Sequence, residues 1–234
     1  MRRFPVEVRA ALPAADRALG KLGPALVWLA TAQGGWPPRR PQSVHRMVVD
    51  QGTFEDGLRL ADELADAGTD LLVLSSGGDQ VPGIVVAAAL LDLEPVQAVG
   101  TAAGPGWAAA IVGVRDGLRG CRPFLGDPAG LLDAVGCPAL SRLTGLLAQS
   151  AVRRTPVVLD GSPLICGAAL VAERFAPGAA GWWLAGQGPP VPAARAALAD
   201  LDLVPLLELG LALPQGAELA LSVLEQALDL VLSP

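Results

Sequence analysis

The chain has 234 residues, of which 52 % are hydrophobic and 17 % charged, with a net charge of −6. That much apolar material builds a full core and excludes a disordered chain, and arginines that occur singly or in pairs leave no basic stripe for a polynucleotide. One histidine, His45, and three widely spaced cysteines, Cys121, Cys137 and Cys166, offer no material for a His-rich metal centre, a zinc knuckle, a Ser-His-Asp triad or a disulfide framework.

The opening MRRFPVEVRAALPAADRALGK is basic at first, but Pro5, Glu7 and Pro13 break it before the apolar core of a signal peptide develops, so a cytoplasmic location is expected. Residues 13–33 then carry Leu19, Leu22, Leu26 and Leu29 on one helical face, and Gly34-Gly35 and the rigid WPPRRP linker end that helix. His45 follows as a surface or loop residue. Thr53 with Asp56 three residues on forms a capping pair, which starts a helix through EDGLRLADELADAG that Gly68 closes. DLLVL at 70–74 is short, apolar and bounded by polar turns, as a strand covered on both faces would be.

Residues 84–152 read as mostly helical, punctuated by Pro95, Pro123, Pro128 and Pro138. The apolar runs at 84–91 and 163–172 are about half of the roughly 20 residues a membrane span needs, and read as buried core. Strand and helix then alternate three times: PVVLD at 156–160 before a helix at 163–175, GWWLAG at 181–186 before 192–200, and VPLLEL at 204–209 before 217–232. This alternation predicts a three-layer α/β/α fold with a reduced, mostly parallel, Rossmann-like sheet. The expected organisation is a single domain over 1–234, with an α/β core at 41–209 and a small helical lobe formed by 1–40 and 210–234.

Ligands of such sheets sit at the carboxyl ends of the strands. The first strand delivers Ser75, Ser76, Gly77 and Gly78, whose glycines would let backbone amides approach an anion or simply make a turn; neither a Walker loop nor a GxGxxG fingerprint is present. The second delivers Asp160, Gly161 and Ser162, the carboxylate binding a hydroxyl or capping the next helix. The third delivers Gln187-Gly188-Pro189-Pro190, chemically quiet, and its Trp182 and Trp183 read as core. The fourth leads to LGLALPQGAEL, with Gln215, Gly216 and Glu218 at the start of the last helix.

From Ala134 onward, the pieces PVVLDG, FAPGA, GWWLAG and PLLELGLAL resemble, in their order and spacing, the nicotinate-nucleotide:dimethylbenzimidazole phosphoribosyltransferase (CobT) family, and ALVWLATAQG and GLRLADELADAGTDLLVL resemble its earlier segments. The resemblance implies assembly of the lower-ligand nucleotide of cobalamin, a nucleotide or benzimidazole ligand, no cofactor and no metal. It also implies a homodimer or a heteromer with a CobT-like subunit, with neither nucleic acid nor membrane as partner. Departures are equally specific. The strand ending in the family's Asp-His-Gly motif is missing before residue 50, and the phosphate loop GEMGIGNTT has become SSGGDQVPGIV. A later GRGTG-like turn reads Gly100-Thr101-Ala102-Ala103-Gly104, a family lysine is lost with Arg115 the nearest cation, and the His-Arg-Ser-Ala-Glu-Pro run begins at Gln187. The family's terminal general base falls on Gln215, which accepts a hydrogen bond but cannot keep a proton.

So many changed positions lead to the expectation of a catalytically degenerate relative that binds an azole, a nucleotide or a CobT-like partner. The alternative is an active phosphoribosyltransferase with a relocated base, Glu218 or Asp160, and Ser75 to Gly78 holding the phosphate with Gly100, Gly104, Gly161 and Gly216 around the ligand. Glu218 also has a plainer use, as a carboxylate favoured by the helix dipole. An unrelated small-molecule role on the same fold is a third reading.

Overall fold

The computed structural model describes residues 19–101, 106–212 and 215–232. Four strands, β1 (Val44–Val48), β2 (Leu71–Ser75), β3 (Val157–Leu159) and β4 (Trp183–Ala185), form one parallel sheet in the order β1-β2-β3-β4. Among the described residues ten α-helices surround it: α1 (Leu22–Gln33), α2 (Phe54–Asp66), α3 (Val81–Leu90), α4 (Pro95–Val99), α5 (Trp107–Cys121), α6 (Pro128–Val135), α7 (Pro138–Arg153), α8 (Pro163–Phe175), α9 (Pro192–Asp200) and α10 (Gly216–Leu232). None is long and apolar enough to cross a membrane.

Local chemistry sets the helix ends. Thr53 and Asp56 make the expected capping box, each side chain accepting from the other's backbone N–H. Helices α4, α6, α7, α8 and α9 each begin on a proline, whose missing N–H has no intrahelical partner to lose at that position. Gly34 closes α1 in the left-handed conformation at φ 80°.

The three layers follow from the alternation of side chains along the strands. Leu72, Leu74, Val157, Leu159, Trp183 and Ala185 face a large cluster with α2 to α9. Leu71, Val73, Val158 and Leu184 face the opposite way, onto Leu26 and Leu29 of α1 and Ala217, Ala220, Leu221, Leu224 and Leu228 of α10. All crossover helices therefore share one face, and the two terminal helices together cover the other. Trp183 is buried core, as expected, and Trp182 packs partly buried beside it.

Expectation and structure differ at two places along the sheet. Residues 204–209 form no strand: a single bridge joins Leu207 to Gln187, with the Leu206 and Leu207 amides donating to Ala185 and Gly186. Pro205 supplies no donor, so no ladder propagates. Conversely, a strand that the sequence pattern does not place precedes residue 50, although it does not end in Asp-His-Gly. β1 pairs with β2 from Val44↔Leu71 to Val48↔Ser75, and His45 sits exposed on it, a surface residue as expected. The expected first helix is described only from Leu22 onward, residues 13–18 lying outside the described ones.

Candidate functional site

The carboxyl ends of β2 and β3 meet at Asp160, whose residue is only 1 % exposed. Its backbone N–H donates to Leu74 O at 3.1 Å, extending the β2–β3 ladder by one step. Both carboxylate oxygens then accept backbone amides: Oδ2 from Ser76 at 3.0 Å and Oδ1 from Ser162 at 2.7 Å. The hydroxyls of Ser76 and Ser162 lie 2.6 Å apart. Burial pushes the Asp160 carboxyl above its ordinary pKa, opposed by these Ser162 and Ser76 hydrogen bonds. Cys166, one turn into α8, has its thiol pushed up by burial and by the Asp160 charge. Asp160 thus clamps two strand-end loops through their backbone amides.

The loop Ser75 to Gly78 is half inside and half out, Ser75 and Ser76 being buried and Gly77 and Gly78 exposed. Gly78 adopts φ 72°, a turn conformation that side chains disfavour. Gln80 fastens the loop: its Nε2 donates to Gly77 O and Gly78 O at 3.3 and 3.2 Å, and its Oε1 accepts the Leu164 amide at 3.1 Å. Asp79 Oδ1 takes the Val81 amide at 3.0 Å. The starts of α3 and α8 lie side by side because Gly83 and Gly167 are in backbone contact; a Cβ on Gly167 would come within 2.8 Å of the Gly83 Cα.

At the end of β4, Gln187 is 2 % exposed and far from quiet. Its side-chain amide bonds the Leu211 backbone in both senses, Nε2 donating to O at 2.8 Å and Oε1 accepting from N at 2.9 Å. A strand-like pair made by a side chain thereby holds the segment that leads into α10. Gly161, at φ 79°, lies against Gln187 O, and a Cβ on Gly216 would meet the Gln187 side chain and come within 2.6 Å of Asp160 O. Asp160, Gly161, Gln187 and Gly216 therefore form one interlocked corner that fixes where α10 begins.

Glu218 lies two residues into α10, half exposed, its side chain at 44 %. Instead of turning back to the amides of its own helix, it crosses to β1, where Arg46 Nε donates to Oε2 at 3.2 Å. Arg46 is paired in register with Val73 and is itself 49 % exposed at the side chain. Gln215 is exposed, and its carbonyl accepts the Leu219 amide at 3.1 Å as the first α10 bond.

Gly100 stands apart from this corner. It ends α4 at φ 62°, packs against Pro192 at the start of α9, and its carbonyl accepts the Trp107 indole N–H at 2.6 Å. Gly104 lies outside the described residues. Arg46 and Gln80 are site residues that the sequence does not single out, while Ser162 and Gln187 are visible in it only as strand-end positions without a role. The signal for Ser162 is its place directly after Asp160-Gly161, and that for Gln187 its place directly after GWWLAG. Among the described residues no group of His, Cys, Asp and Glu is arranged to hold a metal ion.

Known proteins resemble this chain in sequence and in fold. Residues 49–233 match the family model described as Phosphoribosyltransferase. The nicotinate-nucleotide–dimethylbenzimidazole phosphoribosyltransferases of Mycobacterium tuberculosis and Mycobacterium bovis are each 46 % identical over 178 residues, covering 73 % of this chain and 49 % of theirs. That of Mycobacterium leprae is 45 % identical over 178 residues, covering 73 % and 50 %. The chain thus spans about half the length of the curated relatives it matches. CobT from Thermus thermophilus shares the fold, with a TM-score of 0.81 at 22 % identity over 97 % of this chain and 96 % of that one.

Proposed function

This chain belongs to the nicotinate-nucleotide:dimethylbenzimidazole phosphoribosyltransferase family, and from that premise we propose that it transfers phosphoribose from nicotinate mononucleotide to a benzimidazole, making the lower-ligand nucleotide of cobalamin. The observation that carries this reading is the extent of the match: residues 49–233 take in every loop at the carboxyl ends of β1 to β4 and the start of α10. Taken alone, the altered motifs favour a non-catalytic relative. Identity of 46 % over 178 residues, together with a half-exposed carboxylate at α10, supports the active alternative instead.

In this reaction an azole nitrogen bonds to the ribose C1′ while the bond from C1′ to the nicotinate nitrogen breaks, its electron pair leaving with nicotinate. Positive charge develops on the azole, and a carboxylate within hydrogen-bond reach takes the proton from the second ring nitrogen. Asp160 is poorly suited, since both its oxygens already accept backbone amides. Glu218 is the better base: only Oε2 is engaged among the described residues, leaving Oε1 for the proton. The Ser75 to Gly78 loop, with two exposed glycines, would receive the phosphate.

Nicotinate release from nicotinate mononucleotide in the presence of dimethylbenzimidazole tests this. Turnover is expected in the natural protein and a drop of about 10²–10⁴ in Glu218→Gln. No turnover in either the natural protein or Gln215→Glu would instead establish the non-catalytic reading.

A further inference from the structure

Resting on the reading of Glu218 as base, we propose that Arg46 is the positioning residue of the reaction: it holds one oxygen of the Glu218 carboxylate so that the other faces the acceptor. A glutamate in the first turn of a helix ordinarily serves that turn, by reaching back to its amides or by favourable interaction with the helix dipole. Here the side chain leaves its own helix and meets a cation on a strand 172 positions away in sequence. The contact is one bond, Nε to Oε2 at 3.2 Å, rather than the two parallel bonds a guanidinium and a carboxylate can form. That single bond fixes the direction of the carboxylate without consuming its second oxygen.

Both ends of the pair stand on firm ground. Arg46 lies within β1 in register with Val73, a buried residue of the sheet, and Glu218 follows Gly216, set in the corner made with Gln187 and Asp160, and Ala217, buried in the apolar layer under α10. The two backbones are therefore fixed independently, and the ion pair chooses the rotamer of Glu218 between them. Exposed pairs of this kind contribute little to stability. A positioning role needs only a preferred direction, because misplacement by about 1 Å can cost on the order of 10²-fold in rate.

Steady-state kinetics of nicotinate release, with thermal melting on the same samples, tests the inference. Arg46→Gln is expected to lower kcat about tenfold or more while the KM for nicotinate mononucleotide stays within about twofold and melting is unchanged. Arg46→Lys should recover part of kcat. The charge-swapped double variant, Arg46→Glu with Glu218→Arg, keeps an ion pair but should remain as slow as Glu218→Gln, because the carboxylate now sits on β1. An unchanged kcat in Arg46→Gln, or a loss confined to KM, overturns the positioning role and leaves the activity standing. Absence of turnover in the natural protein overturns the activity and this inference with it.

Discussion

Two carboxylates at the same edge of one sheet have opposite fates. Asp160 ends β3 in the middle of the sheet, with neighbours on every side, and both its oxygens are spent on backbone amides. Glu218 stands near β1, where the sheet has a strand on one side only among the described residues, Val48 is 57 % exposed, and a single side chain engages one oxygen. The middle of the sheet converts a charge into architecture. Its edge leaves a charge available for chemistry.

The sharpest way to break this contrast is to remove each carboxylate and ask which property falls. Glu218→Gln should cost about 10²–10⁴ in nicotinate release while shifting stability, measured by urea unfolding, by less than about 0.5 kcal/mol. Asp160→Ala should do the reverse, losing about 2–4 kcal/mol because the buried Ser76 and Ser162 amides are left without an acceptor. A variant at Asp160 that melts normally but turns over slowly would erase the division of labour. Gln187→Leu comes next, with an expected loss of about 1–2 kcal/mol in urea unfolding as the Leu211 N–H and C=O lose their partner. It should also lower kcat, since the segment it releases sets the start of α10.

The smallest effect lies behind β1, at the start of α2. Bonds from the Thr53 backbone and hydroxyl, and from Arg59, hold the Asp56 carboxyl at about 2, below its ordinary 3.8. Its contribution to stability is therefore present above about pH 4 and lost as pH falls towards 2, and Asp56→Asn should flatten the urea midpoint over that window. Asp160 has the opposite sign: burial raises its folded value, so its protonation favours folding at low pH and that contribution disappears as pH climbs through the raised value.

Much of the frame is readable in the chain because burial on both faces leaves a continuous apolar run. DLLVL, PVVLD and GWWLAG stand out as strands, and the Thr53 and Asp56 spacing announces α2. VHRMV escapes notice as β1 because an edge strand needs little apolar surface, and VPLLEL looks like a strand because Leu206 is buried and Leu207 half-buried against the sheet, with a single bridge in place of a ladder. Asp160 is visible as a strand-end acid, yet its role depends on Ser76, 84 residues earlier. Arg46 gives no signal at all, since its partner is brought to it only when α10 closes the second face. The role of Gln187 is silent for the same reason: a glutamine that imitates a strand partner has no periodicity to reveal it.

The arrangement of the two layers also orders events in time. Every crossover helix lies on one face, so a growing chain can assemble β1 to β4 with α2 to α9 as each segment is synthesised. Leu71, Val73, Val158 and Leu184 have a different schedule, because the layer that covers them joins α1, which precedes β1 to β4 in the chain, to α10, which follows them. On the ribosome this apolar face stays incompletely covered until α10 emerges. Glu218 meets Arg46 in that same step, so the proposed base is set in place only once α10 has packed on the sheet.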